Sequence, residues 1–373
     1  MGLPTLFFTG EIMKKHRMFI WILPLFLALG DVSSKQDIVA AQVLSDQKIQ
    51  AIFSQAIENE ELDVCITQEK TFALDAETAD REARDYAELL LGLLQEAANK
   101  NGKILLSENY SYLVNEKRDE VTYQFQIGPQ NLREVTMIAS EKQAYTLALK
   151  ALKNRDYKTQ FYTDESSFYE IFKMVLKQHP EYNYGVQVWN NTNGTFGFRQ
   201  GSALSASSAK KYRQKADARA NAIIKKIIGP TMSRKEKIQA IHDYIVKNCA
   251  YDTGKINTKY DHSYTAYGCL VKKQAVCQGY AAAFNLLAGK AGIASITATG
   301  SAGGGSHAWN YVKDGSNYVH VDCTWDDPVP DRGKNASVPH KYFYVTDGIL
   351  KKTHKWSRTE ISKKYITFTE LMM

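Results

Sequence analysis

Cys277, His307 and Asp322 supply, in chain order, a thiol, an imidazole and a carboxylate, the groups of a nucleophile, a general base and an orienter. Cys277 precedes the run QGYAAAFNLLA, where Tyr280, Ala281, Phe284, Leu287 and Ala288 recur at helical spacing and Gly289 and Gly292 end the pattern. The thiol is therefore expected at a helix N-terminus. There the dipole favours thiolate, and unpaired backbone N–H groups can hold a developing oxyanion. The same local pattern suits a small buried cysteine, so this segment alone assigns no role.

Gly303 to Val312 and Asn317 to Asp322 read as two short strands, with Asp314-Gly315 a strong hairpin signal between them. A turn closing on that dipeptide sets Lys313 opposite Ser316 and Val312 opposite Asn317. At this register His307 stands directly opposite Asp322, with Cβ atoms about 4.5–5.5 Å apart, within reach for a carboxylate to orient an imidazole. In this scheme His307 takes the thiol proton, Asp322 fixes the tautomer, and Cys277 attacks an amide or acyl carbonyl to form a thioester. His320 points to the same face, opposite Trp309, and is a competing base; the directly opposed pair favours His307.

These groups need a helix under Cys277 and a sheet under the other two. Upstream, Ser233-Arg-Lys-Glu236 is a capping box ahead of Ile238, Ile241, His242 and Ile245. It predicts a helix over Ser233 to Lys247 whose apolar face buries His242 as a hydrogen-bonded residue. Helical patterns over Gln47 to Glu60, Ala76 to Asn99, Glu141 to Lys153 and Ser166 to Lys177 accompany strand-like runs at Lys103 to Val114, Val121 to Ile127 and Tyr184 to Trp189. Polar and small residues from Gln200 to Ser208 read as a linker. The expected fold is α+β. An N-terminal α+β domain over 31–200 carries no motif with chemistry, and a second domain spans 201–373.

With 44% hydrophobic and 23% charged residues, a chain of 373 residues can bury a sizeable core, which excludes a mainly disordered protein. Lys14, Lys15 and Arg17 against Glu11 give residues 1–30 a net +2, which leaves +5 of the formal +7 for the rest. That balance suits an anionic surface, such as a cell wall or membrane face, without naming one. The basic residues between Lys210 and Lys237 form neither a dense stripe nor a recognisable module, so nucleic acid is not an expected partner. The basic cluster ahead of the apolar run MFIWILPLFLALG (18–30) has the order of a secretory signal peptide and is short for a membrane span. The expectation is a secreted or cell-surface protein that meets the membrane only through this segment.

AVCQGYA, SHAWNYV and YVHVDCTWDDP, in this order, resemble the transglutaminase-like superfamily, and EKIQAIHDYIVKNCAYD and KYFYVTD resemble segments that flank its core in secreted bacterial members. The resemblance covers roughly 233–347. It implies a papain-like core, a Cys-bearing helix packed on an antiparallel sheet, with Cys277, His307 and Asp322 as the catalytic set. It also implies that Trp309 and Trp325 pack around the triad or wall the substrate cleft and that Asn310 and Asp326 are structural supports. The chain departs from the pattern at Lys273-Gln274-Ala275, where Gly-Lys-Ala is common, and at Cys323, where proline often follows the aspartate. A side-chain oxyanion donor stays open among Tyr264, Tyr267 and Gln274.

Cys65, Cys249, Cys269 and Cys323 are read as four buried thiols, with Cys249 or Cys269 to Cys323 the disulfide to test. No set of residues has zinc-site spacing and no acidic loop resembles a calcium hand, so no metal or cofactor is expected. Three readings follow. One is a secreted acyltransferase joining glutamine amides of protein or peptide substrates to amines. Another is a peptidase or amidase on the same triad, and the last is a binding or assembly protein that leaves the triad unused.

Overall fold

The computed structural model describes residues 8–10, 44–59, 63–69, 76–105, 110–114, 120–127, 132–163, 165–192, 194–255, 260–327, 337–359 and 361–373. The signal-peptide reading falls on residues outside this set, apart from the short strand Phe8–Gly10. The chain forms two compact units, Met1–Met137 and Ile138–Met373.

In the first unit the helices Asp46–Glu58 and Ala76–Lys100 cover a four-stranded antiparallel sheet. Its strand order is Phe8–Gly10, Tyr110–Val114, Glu120–Gln126, Asp63–Glu69. Val121, Tyr123 and Phe125 alternate into the core, where Phe125 meets Phe53 edge-on at a ring separation of 5.3 Å. The single run expected over Lys103 to Val114 is two strands. Lys103–Leu105 pairs with Leu132–Glu134, whereas Tyr110–Val114 pairs with Glu120–Gln126, and two different partners cannot share one straight strand.

The boundary expected near residue 200 lies instead at 137/138. Tyr145, Leu149, Phe172, Phe196 and Phe198 share one apolar core with Ile296, Trp309, Tyr311 and Ile366. Each such side chain contributes about 1.5–3 kcal/mol by burial, so cutting near 200 would forfeit about 8–15 kcal/mol, the whole stability of an ordinary domain. The small residues that suggested a linker make a tight turn and a cap. Gly201 N–H donates to the Gly185 carbonyl at 2.8 Å, and Ser205 caps the helix Ala206–Ile227.

The helix Cys277–Lys290 is buried along its length from Gly279 to Ala288, which explains why its sequence is apolar on every side. Ala282, Ala283, Leu286 and Leu287 share a core with Ala216, Ala220 and Ile223 of Ala206–Ile227 and with Ile238, Ile241 and Ile245 of Arg234–Asn248. Arg234–Asn248 starts with the expected capping box, Ser233 Oγ accepting from Glu236 N–H and Glu236 Oε2 accepting from Ser233 N–H. Against the other side lies an antiparallel sheet ordered Asn317–Val321, Gly305–Asp314, Ser295–Ala302, His354–Trp356. Asn310 of that sheet donates to the Ala281 carbonyl at 3.0 Å and to Asn285 at 2.9 Å, pinning strand to helix.

The hairpin register differs from the expected one by two residues. Asp314 pairs with Asn317 and the loop is Gly315-Ser316, with Gly315 at φ 61 as the first loop position requires. His307 and Asp322 are therefore diagonal rather than directly opposed. An even slip preserves the face on which a side chain points, so both still project to the same side.

Candidate active site

Cys277 is the first residue of its helix, and its partly exposed side chain stands where backbone N–H groups lack intrahelical acceptors. Gly279, in the same turn, lies against the Ser263 carbonyl so closely that a Cβ would overlap it. This close approach seats the helix start on the preceding loop. Cys277 stands close enough to the His307 imidazole to help raise its pKa.

His307 is only 8% exposed, and its Nε2 lies 2.7 Å from Asp322 Oδ2, which leaves Nδ1 for the thiol. Burial alone would lower its pKa, but the hydrogen bond to Asp322 and the neighbouring Cys277 outweigh it and raise the imidazole to about 9. A protonated His307 places a positive charge beside Cys277.

Asp322 is fully buried yet has four donors. Oδ2 accepts from His307 Nε2 at 2.7 Å and from His354 Nε2 at 3.0 Å, while Oδ1 accepts from the N–H groups of Thr324 at 3.0 Å and Trp325 at 3.1 Å. Burial pushes the carboxyl up, but the imidazole and backbone bonds prevail and hold it below the ordinary carboxylate range. It remains ionised, as an orienter must.

His354 is absent from the sequence reading. It enters by strand pairing, opposite Ala302, and its ring lies among Trp309, Trp325 and Tyr342. Gly300 on the neighbouring strand permits this, because a Cβ there would overlap the Lys355 carbonyl. No periodicity in the surrounding KKTHKW announces such a contact.

Of the two roles open to it, Trp309 takes packing and not a cleft wall. It is 1% exposed, stacks under His307 at 5.8 Å and donates Nε1–H to His320 Nδ1 at 3.0 Å, so it backs the imidazole from within the core. Trp325 is half-buried, with its ring 5.8 Å from that of His307. Asp326 accepts the Tyr342 N–H with both oxygens, at 3.1 and 3.0 Å.

His320, the competing base, has both nitrogens engaged: Nδ1 accepts from Trp309 and Nε2 faces Asp347 Oδ1 at 3.1 Å. Burial drives its pKa down to about 4. It is a neutral core residue.

Of the three suggested oxyanion donors, Tyr267 is buried and stacked on Tyr212 at 4.4 Å, Tyr264 stacks on Tyr260 at 5.4 Å, and Gln274 is an exposed strand residue. The phenol beside Cys277 is instead that of Tyr251. Burial first, and the neighbouring Cys277 second, push this phenol up to about 12.

None of the five cysteines forms a disulfide. Cys249, Cys269 and Cys323 are buried, but Cys65 is exposed, contrary to the four buried thiols expected. Burial raises Cys269 and Cys323 well above the usual thiol range, so these two stay protonated.

A thiol at a helix N-terminus, met by an imidazole and a buried carboxylate on an antiparallel sheet, defines a papain-like Cys-His-Asp site within an α+β fold. Residues 221–323, which hold all three groups, match the transglutaminase-like superfamily and constitute a transglutaminase-like domain. Among solved structures, a transglutaminase is similar at 12% identity over 75% of this chain and 55% of its own, with a TM-score of 0.28. A candidate cysteine protease from Cytophaga hutchinsonii is similar at 16% identity over 39% of this chain and 63% of its own, with a TM-score of 0.26. The matches thus span less than two thirds of each of those chains. No curated protein matches the sequence.

Proposed function

We propose that this protein is a secreted cysteine acyltransferase that takes glutamine side-chain amides of protein or peptide substrates and transfers the acyl group to an amine. The observation that carries the reading is the 2.7 Å contact of His307 Nε2 with the buried Asp322 carboxylate, beside a Cys277 thiol at a helix N-terminus. The Cys277 thiolate attacks the amide carbonyl, His307 gives its proton to the departing nitrogen, and ammonia leaves a thioester on Cys277. His307 then takes a proton from the incoming amine as its nitrogen attacks the thioester. The isopeptide forms, the C–S bond breaks, and the proton returns the imidazole to its starting state. Asp322 keeps Nε2–H directed away from the thiol throughout. The basic-then-apolar order over residues 14–30 supports export, and the +5 balance of the remainder suits a substrate on an anionic surface such as a cell wall.

The test is incubation with a glutamine-containing peptide and a primary amine, following ammonia release and amine incorporation together. Equal yields of the two, both lost in Cys277→Ala, are expected. Ammonia or peptide cleavage without incorporation would make the protein an amidase or peptidase, and no turnover with an unreactive Cys277 would leave a binding role. Export is read separately, from the mature N-terminus of secreted protein.

A further inference from the structure

Beyond the catalytic set, the second unit gathers another group of imidazoles and carboxylates. His242 and Asp243 are adjacent on the helix Arg234–Asn248, and His340 reaches them from 97 residues beyond Asp243. His242 Nδ1 lies 2.9 Å from Asp243 Oδ1, and His340 Nε2 lies 2.8 Å from the same oxygen. One donor atom from each residue falls within 4.8 Å of the other two. The His242 side chain is 0% exposed, whereas those of Asp243 and His340 are 27% and 36% exposed. One ligand is thus anchored in the core and two are open to solvent.

Behind His242 stands the arrangement that metal-bound histidines require. Its other nitrogen, Nε2, faces Asp326 Oδ2 at 3.2 Å, and Asp326 is itself buried and fixed by the Tyr342 N–H. A carboxylate at the far nitrogen can keep the proton on Nε2 when Nδ1 exchanges its contact with Asp243 for a metal. Two imidazoles and one carboxylate suit zinc-like ions and fall far short of the six to eight oxygens that calcium takes. Metal–ligand bonds of about 2.0–2.2 Å place tetrahedral donor atoms about 3.4 Å apart, so spreading the two contacts by about half an ångström admits the ion.

We propose that His242, Asp243 and His340 bind a zinc-class divalent cation, with Asp326 orienting His242 and water completing the coordination. The ion ties the segment bearing His340 to the Arg234–Asn248 helix. Two residues after His340, Tyr342 accepts the Asp322 N–H at 3.1 Å, so the tie reaches the turn that holds the catalytic carboxylate. The ligands come from distant parts of the chain, so no spacing in the sequence reveals them.

The full chain is stripped with a chelator and titrated with Co²⁺, reading the visible spectrum, stoichiometry and melting temperature. One Co²⁺ per chain is expected, with tetrahedral visible bands, no thiolate-to-cobalt charge-transfer band, displacement by Zn²⁺ and a raised melting temperature. His340→Ala and Asp243→Asn, each checked for folding by circular dichroism, should each weaken binding at least about tenfold. The second variant serves if the first does not fold. The proposal is overturned if no saturable binding occurs at millimolar Co²⁺, if a thiolate band appears, or if both variants bind as tightly as the parent. Loss of binding in His354→Ala with retention in His340→Ala would equally overturn it, placing the ion on the His307–Asp322–His354 group instead.

Discussion

His354 Nε2 lies 3.0 Å from Asp322 Oδ2, the same oxygen that His307 Nε2 approaches at 2.7 Å, so one carboxylate oxygen serves two imidazoles. His354 reaches Asp322 from the edge strand while His307 reaches it from the centre of the sheet. The shared oxygen fixes Asp322 from a second direction and leaves it little freedom to follow His307 out of line with the thiol.

Removing that second donor should therefore weaken the base without abolishing it. A hydrogen bond to a charged group is worth about 1.5–3 kcal/mol, so His354→Ala is expected to slow turnover and Cys277 alkylation about 10- to 100-fold. His354→Gln, which retains a donor, should recover part of the loss. Unchanged alkylation in His354→Ala would mean that the His307–Asp322 bond alone sets the imidazole.

The pH dependence has a definite sign. His307 is raised from 6.5 to about 9, so its contribution to stability is complete below about 6.5 and is lost as pH rises through about 9. Asp322 is depressed, so its contribution is present above the ordinary carboxylate range and is lost in acid. Iodoacetamide labelling at about pH 6, where an ordinary thiol is mostly protonated, should concentrate on Cys277 and spare Cys65, Cys269 and Cys323. His307→Ala should cut that rate by about 10²–10⁴-fold. Peptide mapping of the labelled cysteine reads the result, and equal labelling in the variant would sink the ion-pair assignment.

The position of the domain boundary can be tested by truncation. A fragment of residues 138–373 should unfold cooperatively in denaturant. A fragment of 201–373 should not, because Ile296, Trp309 and Tyr311 lose their covering side chains Tyr145, Phe172 and Phe198. Cooperative unfolding of the shorter fragment would place the boundary back near residue 200.

Features governed by neighbours in the chain are legible in the sequence. The capping box at Ser233, the helix beginning at Cys277 and the hairpin between His307 and Asp322 all follow from periodicity, caps and turn residues acting over a few positions. The meeting of His307 with Asp322 survived a register two residues away from the expected one, because side chains alternate with period two. Tertiary structure alone decided that His354 joins Asp322, that Trp309 is a buried support, and that Tyr251 stands beside Cys277. It also decided that residues 138–200 belong with the second unit. Each of these depends on strand pairing or core packing between segments far apart in sequence, whose free energy comes from surfaces buried together rather than from any local pattern of residues.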